Sequence, residues 1–151
     1  VAAGLWAGLM AWQPLASEAT LQRLPTITLD ALDGDRVALA ELADKPLLIN
    51  LWASGCPACR RELALLAEAA QRGDVRVVTV NQGESLLEVA RYLDRQALDL
   101  PLTLLDPRQR LTALSQAPGL PTTLFYSADG RLLTRHVGEF GRAQLDAWLD
   151  R

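Results

Sequence analysis

The chain has 151 residues, half of them hydrophobic, and a net charge of −3 at pH 7 without any lysine or arginine run. That length suits one ordinary domain with a substantial core, and the mild acidity gives none of the basic footprint that nucleic-acid binding needs. Two cysteines and a single histidine fall short of the four Cys/His ligands of a structural zinc site.

The first sixteen residues, Val1 to Ala16, are free of charge, mostly apolar, and start without an initiator methionine, as the tail of something longer would. They fall short of the ~20 apolar residues of a spanning helix unless upstream residues complete one. Trp6 and Trp12 suit a membrane interface, and the small residues of Leu15-Ala16-Ser17-Glu18-Ala19 suit a signal cleavage site. Residues 1–19 are therefore expected to be a membrane anchor or signal remnant, and residues 20–151 the exported domain; a buried amphipathic helix is the competing reading. Export would place the cysteines in an oxidising compartment.

Thr26 to Asp30 and Arg36 to Leu39 flank an Asp33-Gly34 turn and predict a β-hairpin. The apolar run Leu47 to Trp52 predicts a central strand. Directly after it comes Gly55-Cys56-Pro57-Ala58-Cys59-Arg60, which puts both cysteines at a strand-to-helix join. Two intervening residues on a first helical turn bring the sulfurs within disulfide reach. Cys56 at the helix start gains from unpaired N–H groups and the helix dipole, which lower a thiol pKa. Pro57 suits the first helical position. A CxxCH haem attachment is ruled out by Arg60, and a four-residue loop gives a purely structural disulfide little entropic effect. Redox chemistry is the expected role, ahead of a static disulfide or a copper-handling site.

The helix should run to about Gly73 with Leu63, Leu66, Ala67 and Ala70 on its apolar face. Val75 to Asn81 predicts a β-branched strand, and Ser85 to Gln96 a helix burying Leu86, Val89, Ala90 and Leu93. Leu102 to Leu105 reads as a short extended piece before a helix near Gln109 to Ser115. Thr122 to Tyr126 and Leu132 to Val137 bracket an Asp129-Gly130 turn, a second hairpin, and a last helix spans about Arg142 to Leu149. The alternation implies an α/β fold with a mixed sheet covered on both faces.

Trp52-Ala53-Ser54-Gly55-Cys56-Pro57-Ala58-Cys59, with Gly119-Leu120-Pro121-Thr122-Thr123 and the Asp129-Gly130 hairpin before Gly138, resembles the thioredoxin fold. The N-terminal hairpin and the insertion starting at Val80-Asn81-Gln82-Gly83-Glu84-Ser85 narrow the resemblance to the TlpA/ResA-like thiol/disulfide oxidoreductases, from about Leu24 to the C-terminus. It implies a thioredoxin-like fold with an extra N-terminal hairpin and a helical insertion. It also implies an exported, often membrane-anchored protein that exchanges disulfides with client proteins, commonly apocytochromes c or copper-site proteins, without cofactor or metal. Cys56 becomes the attacking thiolate and Cys59 the resolving thiol. Pro121 becomes the cis-proline facing them, with Trp52, Pro57, Leu120 and Thr122 as client-binding neighbours.

The resemblance also marks two polar positions. Asn50 stands where thioredoxins carry a buried aspartate, and it cannot titrate. Glu84 falls in the segment where the subgroup places a glutamate near the cysteines, and a partly desolvated carboxylate there is expected to have a raised pKa and to shuttle a proton; a helix first-turn role is the plain alternative. His136 is expected at the surface or at a sheet edge rather than as a ligand, Arg60 and Arg61 on a solvated face next to the thiols, and Trp148 in the core.

Three functions remain open. The first is a disulfide reductase fed by a membrane thiol donor, favoured because Ala58 replaces the histidine of the CPHC oxidases. The others are a disulfide-donating oxidase or isomerase and a copper-binding module.

Overall fold

A computed structural model describes residues 22–150, and the expected anchor or signal remnant at 1–19 lies outside the described residues. Among these described residues seven strands form one sheet in the order β2-β1-β5-β4-β3-β6-β7. In chain order these are β1 (Thr28–Ala31), β2 (Arg36–Ala38), β3 (Leu47–Trp52), β4 (Arg76–Gln82), β5 (Thr103–Asp106), β6 (Thr122–Tyr126) and β7 (Leu132–Val137). The helices are α1 (Pro57–Gln71), α2 (Leu86–Arg95), α3 (Arg110–Leu114) and α4 (Arg142–Leu149), with a 3-10 turn at Leu39–Leu42.

Strand β3 runs parallel to β4 and antiparallel to β6, and β4 runs parallel to β5. All six residues of β3 are buried, as a continuous apolar run at the centre of a sheet covered on both faces requires. Side-chain alternation then divides them. Leu48 and Trp52 join Cys59, Leu63 and Leu66 of α1, Val89 and Tyr92 of α2, and Leu145 and Trp148 of α4 in one core layer. Leu47, Ile49 and Leu51 face Leu39, Leu104 and Leu111 in the other. Asn50 shares the parity of Leu48 and Trp52, so this polar side chain points under α1.

Both expected hairpins form, each around a glycine in the left-handed region that an Asp-Gly turn demands, Gly34 at φ 92° and Gly130 at φ 81°. The N-terminal hairpin does more than stand beside the domain. β1 pairs antiparallel with β5, Asp30 opposite Leu105, and extends the sheet by two strands.

Two helix faces differ from the sequence reading. The buried line of α1 is Cys59, Glu62, Leu63, Leu66 and Ala69, with Ala67 and Ala70 only partly covered. The face is turned toward Glu62 because Cys59 must point inward and its i+3 neighbour follows it. On α2, Val89 and Leu93 are buried as expected but Leu86 is 45% exposed. Ser85 caps this helix in a capping box, accepting from the Glu88 N–H while the Glu88 carboxylate accepts from Ser85 N at 2.8 Å. Leu86 is thereby the first helical residue, at the solvent end of the helix. Among the described residues no helix is long and apolar enough to cross a membrane.

Candidate active site

The redox loop begins where β3 ends. Cys56 N–H donates to the Ala53 carbonyl at 3.2 Å, and Cys56 takes an extended conformation, φ −92° and ψ 110°, as the N-cap of α1. Its Sγ accepts from the Cys59 N–H at 3.2 Å, so the sulfur occupies the place of a capping side-chain oxygen. Pro57 holds the first helical position. Cys56 and Cys59 form a disulfide with their Cα atoms 5.2 Å apart. Cys59 is fully buried whereas Cys56 is half-buried, so only Cys56 presents a sulfur that an incoming disulfide can reach. The Leu120–Pro121 peptide bond is cis, as the resemblance implies, and Pro121 leads into β6, the strand next to β3.

Beneath the pair lies a carboxylate that the sequence reading passed over. Glu62 is only 2% exposed and one helical turn beyond Cys59, close enough for their side chains to be neighbours. The Asn50 amide donates to its Oε1 at 2.7 Å and to Thr123 Oγ1 at 3.0 Å, and the Phe140 N–H donates to its Oε2 at 3.2 Å. Burial raises the Glu62 pKa to about 7, against the lowering effect of the Asn50 and Phe140 donors. A group with that pKa is half-protonated at neutral pH and can exchange a proton with an adjacent buried thiol. The pattern did hold a signal: Cys59, Glu62, Leu66 and Ala69 repeat at spacings of 3, 4 and 3, so a charged residue sits inside an otherwise apolar stripe. Asn50 therefore carries no proton itself but holds the group that does.

The Redoxin family profile matches residues 20–149. The chain belongs to the Redoxin family. The thiol-disulfide oxidoreductase ResA of Halalkalibacterium halodurans is 29% identical over 126 residues, 81% of this chain and 70% of the relative. The pneumococcal exposed lipoprotein thioredoxin Etrx1 of Streptococcus pneumoniae superposes with a TM-score of 0.69 at 26% identity, covering 82% of this chain and 97% of that one. MTB dsbF shares the fold with a TM-score of 0.75 at 20% identity, over 87% and 96% of the two chains. With its Cys56–Cys59 pair, this redoxin is a protein thiol/disulfide oxidoreductase.

The remaining expected residues of the redoxin site are spread more unevenly. Glu84 does reach the redox loop, but as an anchor. Its Oε2 accepts from Ser54 N at 2.8 Å and from Asn81 Nδ2 at 2.6 Å, its Oε1 accepts from the Ser54 hydroxyl, and its own N–H donates to Asn81 Oδ1 at 3.1 Å. Partial burial pushes the Glu84 carboxyl upward, yet the Asn81 and Ser54 donors outweigh it and hold the pKa below the ordinary carboxylate value. The raised pKa expected for Glu84 is thus corrected: three hydrogen bonds to the ionised form win over desolvation. Trp52 and Thr122 are fully buried, so neither side chain offers surface to a client. Trp52 stacks at a tilt on Tyr92, 5.7 Å between centroids, and the Thr122 hydroxyl donates to the Gly119 carbonyl at 2.7 Å on the face away from α1. Pro57 is exposed and Leu120 half-buried at the rim. His136 is half-buried and tilted against Trp148, with ring centroids 5.6 Å apart. Arg61 pairs with Glu139 at 2.8 Å, while Arg60 remains exposed beside the loop.

Proposed function

We propose that this redoxin is an extracytoplasmic disulfide reductase, held at the cytoplasmic membrane by its N-terminal segment and supplied with electrons by a membrane thiol donor. Its clients are proteins whose cysteines must be reduced for apocytochrome c maturation or copper-site assembly. The observation that carries the direction is the buried Glu62 carboxylate under a disulfide whose Cys56 sulfur receives a single backbone donor. Dithiols become oxidants when their reduced form is stabilised as a thiolate. Here Ala58 stands in the CxxC spacer, Arg61 is engaged by Glu139, and the chain's one histidine lies against Trp148. A carboxylate below the pair disfavours a second negative charge on sulfur. Beyond the helix N-terminus and the exposed Arg60 the thiolate gains little, and the pair gives up its electrons readily.

In the reaction, the Cys56 thiolate attacks one sulfur of a client disulfide, forming a mixed disulfide and releasing the other client sulfur as a thiolate that takes up a proton. Cys59 passes its proton to ionised Glu62 and attacks Cys56 Sγ. The Cys56–Cys59 disulfide forms, the mixed disulfide breaks, and the second client thiolate is protonated. The client gains two electrons from the Cys56/Cys59 pair and two protons, one matching the proton that Cys59 gave to Glu62 and the other the proton that Cys56 released to solvent on becoming a thiolate. On the β6 side the client backbone is received at Leu120, half-buried ahead of the buried cis Pro121, with exposed Pro57 on the loop itself. Glu84 fixes the loop that presents Cys56.

Equilibration of the protein with glutathione tests the direction. A reduction potential near or below about −230 mV is expected of a reductase. A value near about −120 mV would make the pair a strong oxidant and disulfide donation the function.

A further inference from the structure

Strand β3 lies between β4 and β6, so the redox loop has Pro121 on one flank and the entrance to α2 on the other. On that second flank Ser54, Glu84, Leu87, Glu88, Arg91 and Arg95 line a groove of about 290 Å³. Leu87 is 55% exposed, the most open of the large apolar side chains in the described residues, with Leu86 beside it. Residues 87, 91 and 95 are four apart and form one line along the helix, an aliphatic side chain followed by two guanidinium groups.

The polar capacity of this groove is divided. Its carboxylates are engaged inside the protein, Glu84 by Ser54 and Asn81, and Glu88 by the Ser85 N–H and hydroxyl. Arg91 and Arg95 have no carboxylate within ion-pair distance among the described residues. Ionised Glu84 and Glu88 balance the two arginines in net charge, so what distinguishes the groove is guanidinium donors left without partners rather than an excess of positive charge. Planar guanidinium donors without partners fit carboxylates in a bidentate manner.

We propose that the groove between the redox loop and α2 docks the segment next to a client's disulfide, and that it selects a segment carrying an aliphatic side chain, set against Leu87, and an aspartate or glutamate, bound by Arg91 and Arg95. This assignment rests on the reading of the protein as a reductase of client disulfides and adds to it a preference among clients.

Binding of unreactive peptides tests it independently of any electron transfer. Two peptides with serine in place of cysteine, one with Leu and Glu flanking the serine and one with Leu and Lys, are titrated into the oxidised full chain at low salt. The acidic peptide is expected to bind at least about tenfold more tightly, a difference of about 1.4 kcal/mol, and to lose that advantage in the Arg91→Glu/Arg95→Glu double variant. Equal affinities in the wild type, or a preference that survives charge reversal, would overturn the assignment. Both arginines are exposed, and if the double variant does not fold, Arg91→Glu alone decides by the same criterion. The reductase reading fails on a separate observation, wild-type dithiol that leaves hydroxyethyl disulfide unreduced.

Discussion

Glu62 and Glu84 are two carboxylates on opposite sides of one redox loop, and their surroundings drive them apart. Glu62 has two donors and almost no solvent, so burial dominates and the proton stays to about pH 7. Glu84 has three donors to its carboxylate at a half-open site and stays ionised. Exchange of Glu62 for Gln is expected to slow resolution of a Cys56 mixed disulfide about 10- to 100-fold at pH 7, the scale of a lost general base, seen as accumulated adduct in quenched samples analysed by mass. Glu84→Ala is expected to cost about 2 kcal/mol in urea unfolding, because hydrogen bonds to a charged group are lost and the Ser54 N–H is left without its acceptor. The cysteines and Pro57 were legible in the sequence because their roles depend on local order along the chain, whereas the cis state of Pro121 was implied only by the family resemblance. Glu62 was not, since its meaning depends on Asn50, twelve residues away on a strand, and on a Phe140 N–H from beyond β7.

At the level of elements, the strands and helices were legible wherever an Asp-Gly turn, a β-branched run or a cap punctuates them. Which side of each helix is buried was less so. Counting apolar letters set Leu86 inward on α2 and overlooked Glu62 on α1, because the periodicity of letters says nothing about where the helix begins relative to the sheet. Helix α4 shows how the packing closes over the site. Trp148 is fully enclosed, 4.9 Å from the Phe140 ring, and Phe140 supplies the N–H that meets Glu62. Trp148→Ala is expected to lower stability by about 3–5 kcal/mol. Removing the exposed Arg61–Glu139 pair by Arg61→Ala is expected to cost less than about 1 kcal/mol. Parallel urea titrations of the two variants give the contrast.

For the whole molecule, the parallel β3-β4-β5 core places the loops after β3 and β4 at one end of the sheet, with the entry to antiparallel β6 beside them. The redox loop, Glu84 and Pro121 therefore meet although far apart in the chain. The pairing of β1 with β5 was not legible, because a hairpin's own turn chemistry does not specify which outer edge of the sheet it joins. Glu62 also ties stability to pH for the molecule as a whole. Its pKa rises from an ordinary 4.5 to about 7 on folding, so the folded state holds the proton more tightly. That contribution is full below about pH 4.5 and is lost as pH climbs through about 7. Unfolding free energy is expected to fall by on the order of 2 kcal/mol between pH 5 and 8, and Glu62→Gln to flatten the curve.

The most direct test of the account is the rate at which a preformed mixed disulfide on Cys56 is resolved by Cys59, followed from pH 5.5 to 9 in the wild type and in Glu62→Gln. The wild-type rate is expected to rise through an inflection near pH 7 as Glu62 becomes a base, and the variant to rise only later, with the thiol's own ionisation. Superimposable profiles would show that Glu62 takes no proton from Cys59 and would contradict the mechanism.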